Sequence, residues 1–391
     1  MKRLLACSSV LGFAALGLLV LSPIVACTDH LADAGAGDAA AADTGSTGDA
    51  GDSGDTSPLG FRPSNTDTAT GLAAALAAPD LGDLNLSDCG PELISSETGK
   101  VGCDDPGGSY KRIEGFGGTK KYEIFVAKNI TVEAGMILAA GGDRPAILIA
   151  LDTITINGGI EVSPGKVGAY VAPEVAPGAG KSANLDTTGE GGGGGFCGAG
   201  GKGGINAAAG GATYGSATIV PLQGGSNGGQ LLGAAGGGAL QLVAGRKIVI
   251  AAAGFIDAPG DGTGGGGGSG GAILLEAPTV QVLGSITANG GSGGAPGGNP
   301  GTKGGRTATP TPGGISPDNT NGGAGGAGAS VTGGDGVKLA TDTEADGHGS
   351  ANGGGGAGWI RINTTSGAAE ISGVISPSIG GACASQGMLN H

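Results

Sequence analysis

Five stretches of the chain repeat one arrangement of apolar and polar positions. The first sets out Ile124 to Val126, Ile130 to Val132 and Met136 to Leu138. The second has Ile147 to Ile149, Ile154 to Ile156 and Ile160 to Val162. The third has Leu240 to Leu242, Ile248 to Ile250, then Phe255 and Ile256. The fourth has Ile273 to Leu275, Val280 to Val282 and Ser285 to Thr287. The fifth has Ile360 to Ile362, Ala369 to Ile371, then Val374 and Ile375. Each run is too short for a helix and rich in β-branched residues. Three short strands in a little over about twenty residues is the period of a parallel β-helix coil. The expected fold is therefore all-β: a single-stranded parallel β-helix over residues 122–380, three short strands per coil.

Alternation along each run predicts which side chains meet in a core. Ile154 and Ile156 point inward with Val280 and Val282, while Glu161, Gln241, Gln281, Arg361 and Glu370 fall on the outside. Gly141–Gly142, Gly158–Gly159 and Gly290–Gly291 read as coil corners. Trp359 stands where Ala146 and Ala272 stand in other units, and is expected to plug the last coil or to rest under the second insertion described next.

Two insertions, 167–237 and 292–356, interrupt the stack. Glycine accounts for 93 of the 391 residues, too many to serve only as turns. Runs such as Gly191–Gly195, Gly264–Gly268 and Gly353–Gly356 suit neither ordinary strands nor helices. Two readings stay open: disordered loops, or extended polyglycine-II-like helices packed side by side.

The beginning of the chain has its own pattern. Lys2 and Arg3 precede an apolar stretch from Val10 to Leu21, and then come Ile24, Val25, Ala26 and Cys27. This order resembles the lipobox leader of bacterial lipoproteins. The resemblance implies a signal peptide over 1–26 and a mature chain starting at a lipidated Cys27. That cysteine would carry a diacylglycerol and an amide-linked acyl chain of the palmitate type, making membrane lipid the first partner. Thr28, in the sorting position, favours the outer membrane. Residues 27–58 hold many aspartates and no Lys or Arg, and read as a disordered acidic linker. Residues 59–121 read as an irregular, disulfide-clipped cap with a short helix around Leu72 to Leu76, and 381–391 as a C-terminal tail.

Six cysteines are present. Cys7 leaves with the leader and Cys27 takes the lipid. An even remainder in an exported chain favours disulfides. Cys89–Cys103 is expected because the segment between is short and turn-rich, which leaves Cys197–Cys383. The glycine-rich units with aliphatic triplets, over about 120–380, also resemble glycine-rich secreted proteins and lipoproteins of PGRS-like composition. That resemblance implies no catalytic residues.

A formal charge of −14 excludes nucleic acid as an expected partner. Aromatics at 3% leave little to stack sugars or bases. His30, His348 and His391 are far apart and beside no nucleophile. The candidate acids Asp143, Asp152, Glu161, Asp257, Asp261 and Glu276, and the candidate bases Arg144, Lys247 and Arg361, share no obvious coil position; the aspartates read as turn caps. Asp257 and Asp261 are calcium candidates, without the tandem nonapeptides of calcium-binding β-rolls; no other metal or cofactor is expected. Gly180, Lys181 and Ser182 lack the strand-loop-helix context of a phosphate loop. The expectation is a non-enzymatic, lipid-anchored envelope protein with a structural or adhesive surface role toward polysaccharide or matrix. The opposing expectation is a polysaccharide-binding or polysaccharide-modifying β-helix enzyme. A convergent acidic groove with a basic residue would favour the second, and a smooth face of Thr, Gln and small residues the first.

Overall fold

The computed structural model describes residues 57–86, 92–95, 100–101, 110–117, 120–141, 144–162, 164–165, 176–182, 190–204, 208–230, 233–295, 297–317, 319–337 and 351–391. Cys27, Cys89, Cys103 and Asp143 lie outside them, as do the leader and nearly all of the acidic linker. All described residues belong to the unit Gly54–His391.

That unit is almost all β. A short helix α1 (Leu72–Leu76) precedes β1 (Asp83–Leu86), β2 (Glu92–Ser95), β3 (Lys100–Val101) and β4 (Tyr110–Gly117). Five groups of three strands follow. They are β5 (Lys120–Ala127), β6 (Asn129–Val132) and β7 (Ile137–Gly141); then β8 (Ala146–Ala150), β9 (Thr153–Ile156) and β10 (Gly159–Val162). Next come β11 (Ala239–Ala244), β12 (Lys247–Ile250) and β13 (Phe255–Asp257), and then β14 (Ala272–Glu276), β15 (Thr279–Val282) and β16 (Ser285–Thr287). The fifth group is β17 (Trp359–Thr364), β18 (Glu370–Ile371) and β19 (Val374–Ser376), and β20 (Ala384–Met388) closes the chain.

Each group gives one strand to each of three sheets. The first sheet runs β1-β6-β9-β12-β15-β18, the second β3-β2-β7-β10-β13-β16-β19, and the third β4-β5-β8-β11-β14-β17-β20. Neighbours are parallel, except that β3 and β4 return antiparallel on β2 and β5. The predicted triplets are thus the strands. The stretch 59–121, expected as an irregular cap, extends all three sheets by way of β1, β2 and β4. Residues 381–391, expected as a tail, carry β20, which pairs with β17.

Register explains the core. Ile154, Ile248 and Val280 are direct neighbours on β9, β12 and β15, and all are buried. Ile160, Ile256, Ile286 and Ile375 form the matching column of the second sheet, and Phe125, Leu148, Leu242, Leu275 and Ile362 that of the third. These columns meet in one aliphatic cluster. Burying each such side chain contributes about 1.5–3 kcal/mol, so the stack is held by apolar burial as well as by ladders. At one corner glycine is required by close approach: a Cβ on Gly284 would lie 2.0 Å from the Gly254 carbonyl oxygen, and one on Gly373 1.8 Å from that of Gly284.

The described parts of the glycine-rich insertions are hydrogen-bonded, and the segment 351–358 shows how. Its backbone N–H groups donate in rotation. Gly353 donates to Gly191, Gly354 to Gly334 and Gly355 to Gly291; then Gly356 donates to Gly194, Ala357 to Val331 and Gly358 to Ala288, at 2.7–2.9 Å. Its carbonyls accept in the same rotation, from Gly267 and Gly270, from Gly323 and Gly326, and from Gly201 and Gly198. Every third residue returns to the same neighbour, and six neighbours surround the segment. The disulfide Cys197–Cys383 ties this region to the residue before β20, as the cysteine reading expected.

At most of its glycines such packing leaves no room for a side chain. A Cβ on Gly355 would lie 1.9 Å from the Gly268 carbonyl oxygen, whereas one on Gly264 meets nothing within 4 Å. Gly355→Ala is expected to cost about 4 kcal/mol or more by denaturant unfolding, and Gly264→Ala to stay within about 0.5 kcal/mol of the parent.

Candidate functional surface

The outward faces of the three sheets differ in what covers them. On the first sheet, Asn85, Thr131, Thr155, Val249, Gln281 and Glu370 are in register across six strands, and all are partly or fully exposed. At the strand spacing of about 4.8 Å this column is about 24 Å long. Beside it, Asn129 Nδ2 donates to Asp83 Oδ1 at 2.7 Å, and Lys247 Nζ to Gln281 Oε1 at 3.1 Å. Gln281 Nε2 in turn donates to Glu370 Oε2 at 3.1 Å. The face is flat, polar and mixed in charge.

The second sheet presents Glu161, Asp257 and Thr287 in register. Part of the second insertion lies over them. Lys303 Nζ contacts Glu161 Oε1 at 2.8 Å, and Arg306 bridges Glu161 at 2.8 Å and Asp257 at 3.1 Å. The Arg306 guanidinium also stacks 3.7 Å from the Phe255 ring centre, and that ring lies over Gly159, where a Cβ would fall 2.0 Å from it. Thr287 Oγ1 donates to Asp257 Oδ1 at 2.6 Å. Asn289 Nδ2 holds the carbonyls of Gly305 and Thr307. Burial pushes the Asp257 carboxyl above its ordinary value, opposed by Thr287 and Arg306. Glu161 is held below its ordinary value, since Lys303 and Arg306 outweigh its own burial.

The third sheet is covered by the N-terminal strap, residues 57–66, with α1, and by residues 214–222 of the first insertion. Leu59, Phe61, Leu76, Ile219 and Leu222 pack on Tyr122, Ile147, Val243 and Leu274 in a second apolar cluster. The Tyr122 hydroxyl accepts from the Leu222 amide at 3.0 Å, and burial pushes its pKa up to about 12. Here two expectations need correction. Gln241 points away from the aliphatic column but is fully buried, because Ser64 and Asn65 of the strap hydrogen-bond its amide. Trp359 rests under the first insertion, not the second: its Nε1 donates to the Tyr214 carbonyl at 3.0 Å.

Of the sequence-derived acids, only Glu161 and Asp257 are brought side by side. Asp152 pairs with Arg246, and Glu276 lies alone under the strap. Asp261 Oδ1 accepts from the Gly262 amide at 2.9 Å, a turn cap as expected. Arg144 pairs with Glu114 and Glu123. Lys303 and Arg306 were missed by sequence reasoning; the available signal was that they are the only charged residues between Glu276 and Asp318. Among the described residues no group of three or more His, Cys, Asp or Glu converges as a metal site, and no helix is long and apolar enough to cross a membrane. No known protein family, curated protein or solved structure matches this chain.

Arg306 is the cation that the buried Asp257 depends on. Arg306→Met is expected to destabilise by about 2–4 kcal/mol, discounted from the range for wholly buried pairs because Arg306 is 36% exposed. Adding Asp257→Asn should recover much of that loss, a coupling that denaturant unfolding of the double-mutant cycle measures.

Proposed function

We propose that the three sheets are the faces of one parallel β-helix, three strands per coil, and that the glycine-rich segments pack beside it as polyglycine-II-like helices. The constant rotation of strands among the sheets and the three-residue repeat of hydrogen bonds support this reading. On this reading the protein is a stiff stem of the cell envelope, lipid-anchored at Cys27 and facing the surroundings from the outer membrane. Its role is structural or adhesive, without catalysis or a required cofactor. The partner class is extracellular polysaccharide or matrix, met by many weak polar contacts.

The observation that carries the reading is the column of the first sheet, over which no described segment lies. It runs the length of the stack, while the other two sheets are covered by the chain's own segments. Paired Thr131→Glu and Thr155→Glu substitutions place like charges on adjacent strands of that face. Retention of purified protein on matrix polysaccharide should fall several-fold, with the unfolding midpoint nearly unchanged. Protease treatment of intact cells should release fragments from 167–237, and mass analysis of the mature N-terminus should find acyl chains on Cys27. An unacylated N-terminus would remove the anchor from this reading.

A second reading rests on Glu161 and Asp257. They are neighbouring carboxyls whose pKa values are displaced in opposite directions, with Arg306 between them, an arrangement that acid–base chemistry on polysaccharide uses. It expects the protein to shorten acidic polysaccharide and Glu161→Gln to abolish that. The first reading expects chain lengths unchanged by either protein.

A further inference from the structure

Glu276, at the end of β14, is fully buried on the outward side of the third sheet. Oε2 accepts from the Ser64 backbone amide at 2.9 Å and from Gln241 Nε2 at 2.7 Å. Oε1 accepts from Ser64 Oγ at 2.8 Å and from Asn363 Nδ2 at 3.1 Å. The carboxyl therefore joins β11, β14 and β17 to the strap. Three of its four donors are fixed. The amide of Gln241 is oriented by Asn65 Nδ2 and the Ser64 carbonyl, and that of Asn363 by Arg361 Nε at 2.7 Å. The Ser64 hydroxyl alone can turn and accept a proton from the acid.

The charges facing this site are few. From β17, Arg361 is engaged with Asn363 Oδ1 and, at 3.1 Å, with Ser385 Oγ of β20. From β11 comes neutral Gln241, and from the strap neutral Ser64 and Asn65. The strap's Arg62 and Asp67 pair with each other, both about 70% exposed. Among the described residues no cation makes an ion pair with Glu276. Four neutral donors oppose the loss of water, and burial prevails: the carboxyl titrates above its ordinary value.

We propose that Glu276 is a proton-controlled latch for the N-terminal strap. With its proton the acid donates to Ser64 Oγ, and the strap stays seated on the third sheet. When the proton leaves, a carboxylate with no ion-pair partner remains under the strap, Arg361 acting on it only from beyond Asn363, and lifting the strap is what brings it water. The seated state binds the proton more tightly than the lifted state. The latch is therefore strongest below the ordinary glutamate range and weakens as pH rises toward the raised value. This concerns the folded unit alone and does not depend on the anchor or on adhesion.

The test is limited proteolysis of the full chain between pH 5 and 9, with cuts inside residues 57–76 mapped by mass and rates normalised to a free peptide of that sequence. In the parent, the normalised rate should climb by up to about tenfold per pH unit while the carboxyl titrates. Glu276→Gln, which carries no titrating group, should give a flat profile; its Nε2 donates to Ser64 Oγ but no longer accepts from Asn363 Nδ2, so its slope and not its level is compared with the parent. Ser64→Ala, which removes the hydroxyl that receives the proton, should cut faster than the parent already at pH 5. A parent profile that is flat or falls with pH would overturn the proposal. So would a Ser64→Ala profile identical to the parent's, or a Glu276→Gln profile that keeps the parent's slope.

Discussion

Backbone N–H and C=O groups that lose water must find other partners, and leaving one unpaired costs about 1–3 kcal/mol. In a chain so rich in glycine this constraint has few side chains to help it, and it organises both parts of the molecule. Where aliphatic residues recur, the groups pair in parallel ladders and register stacks isoleucine on isoleucine. In the glycine-rich segment 351–358, donors and acceptors repeat every third residue and reach six surrounding segments. The missing Cβ makes this close approach possible: the carbonyl oxygen of Gly354 lies 1.9 Å from where a Cβ of Gly193 or of Gly333 would sit.

Polar chemistry is arranged around those two frameworks as fastening. Arg306 spans two carboxyls and an aromatic ring to hold part of an insertion over the second sheet, and Glu276 gathers donors from three elements beneath the strap. The pKa displacements of Glu161 and Asp257 have opposite signs for stability. The lowered Glu161 contributes stability above the ordinary carboxylate range that is lost as pH falls through its depressed value. The raised Asp257 loses stability as pH rises from that range. The two act on opposite sides of the ordinary range, so together they place the second sheet's greatest stability near it, falling on the acid side through Glu161 and on the alkaline side through Asp257.

The strands were legible because apolar triplets carry their own period: a residue such as Ile248 must be buried, and alternation fixes the side it faces. The Cys197–Cys383 bridge was legible from parity and spacing. Partners of the glycine segments were not, since Gly355 differs in no chemical way from Gly195 and cannot advertise which carbonyl it will meet. Gln241 was placed on the correct side of its strand, but its cover comes from Ser64 and Asn65, in a stretch with no periodic signal. Trp359 was expected to plug the last coil or to rest under the second insertion; it lies under the first, held by the Tyr214 carbonyl, which only folding brings near. Arg306 was passed over, because a charge three residues from Lys303 in a stretch without strands does not say which carboxyls it will meet.

The amide of Arg62 donates to the carbonyl of Asn390 at 2.9 Å, so the first described turns and the last residues of the chain share one hydrogen bond. Ser64 meets Glu276 across 212 positions, and the cystine closes a separation of 186. During synthesis from the N-terminus, the strap leaves the ribosome long before the surface on which it rests exists. The strap can therefore seat only after Gln241, Glu276 and Asn363 have been made, and removal of Asn390 would take away the acceptor of the Arg62 amide.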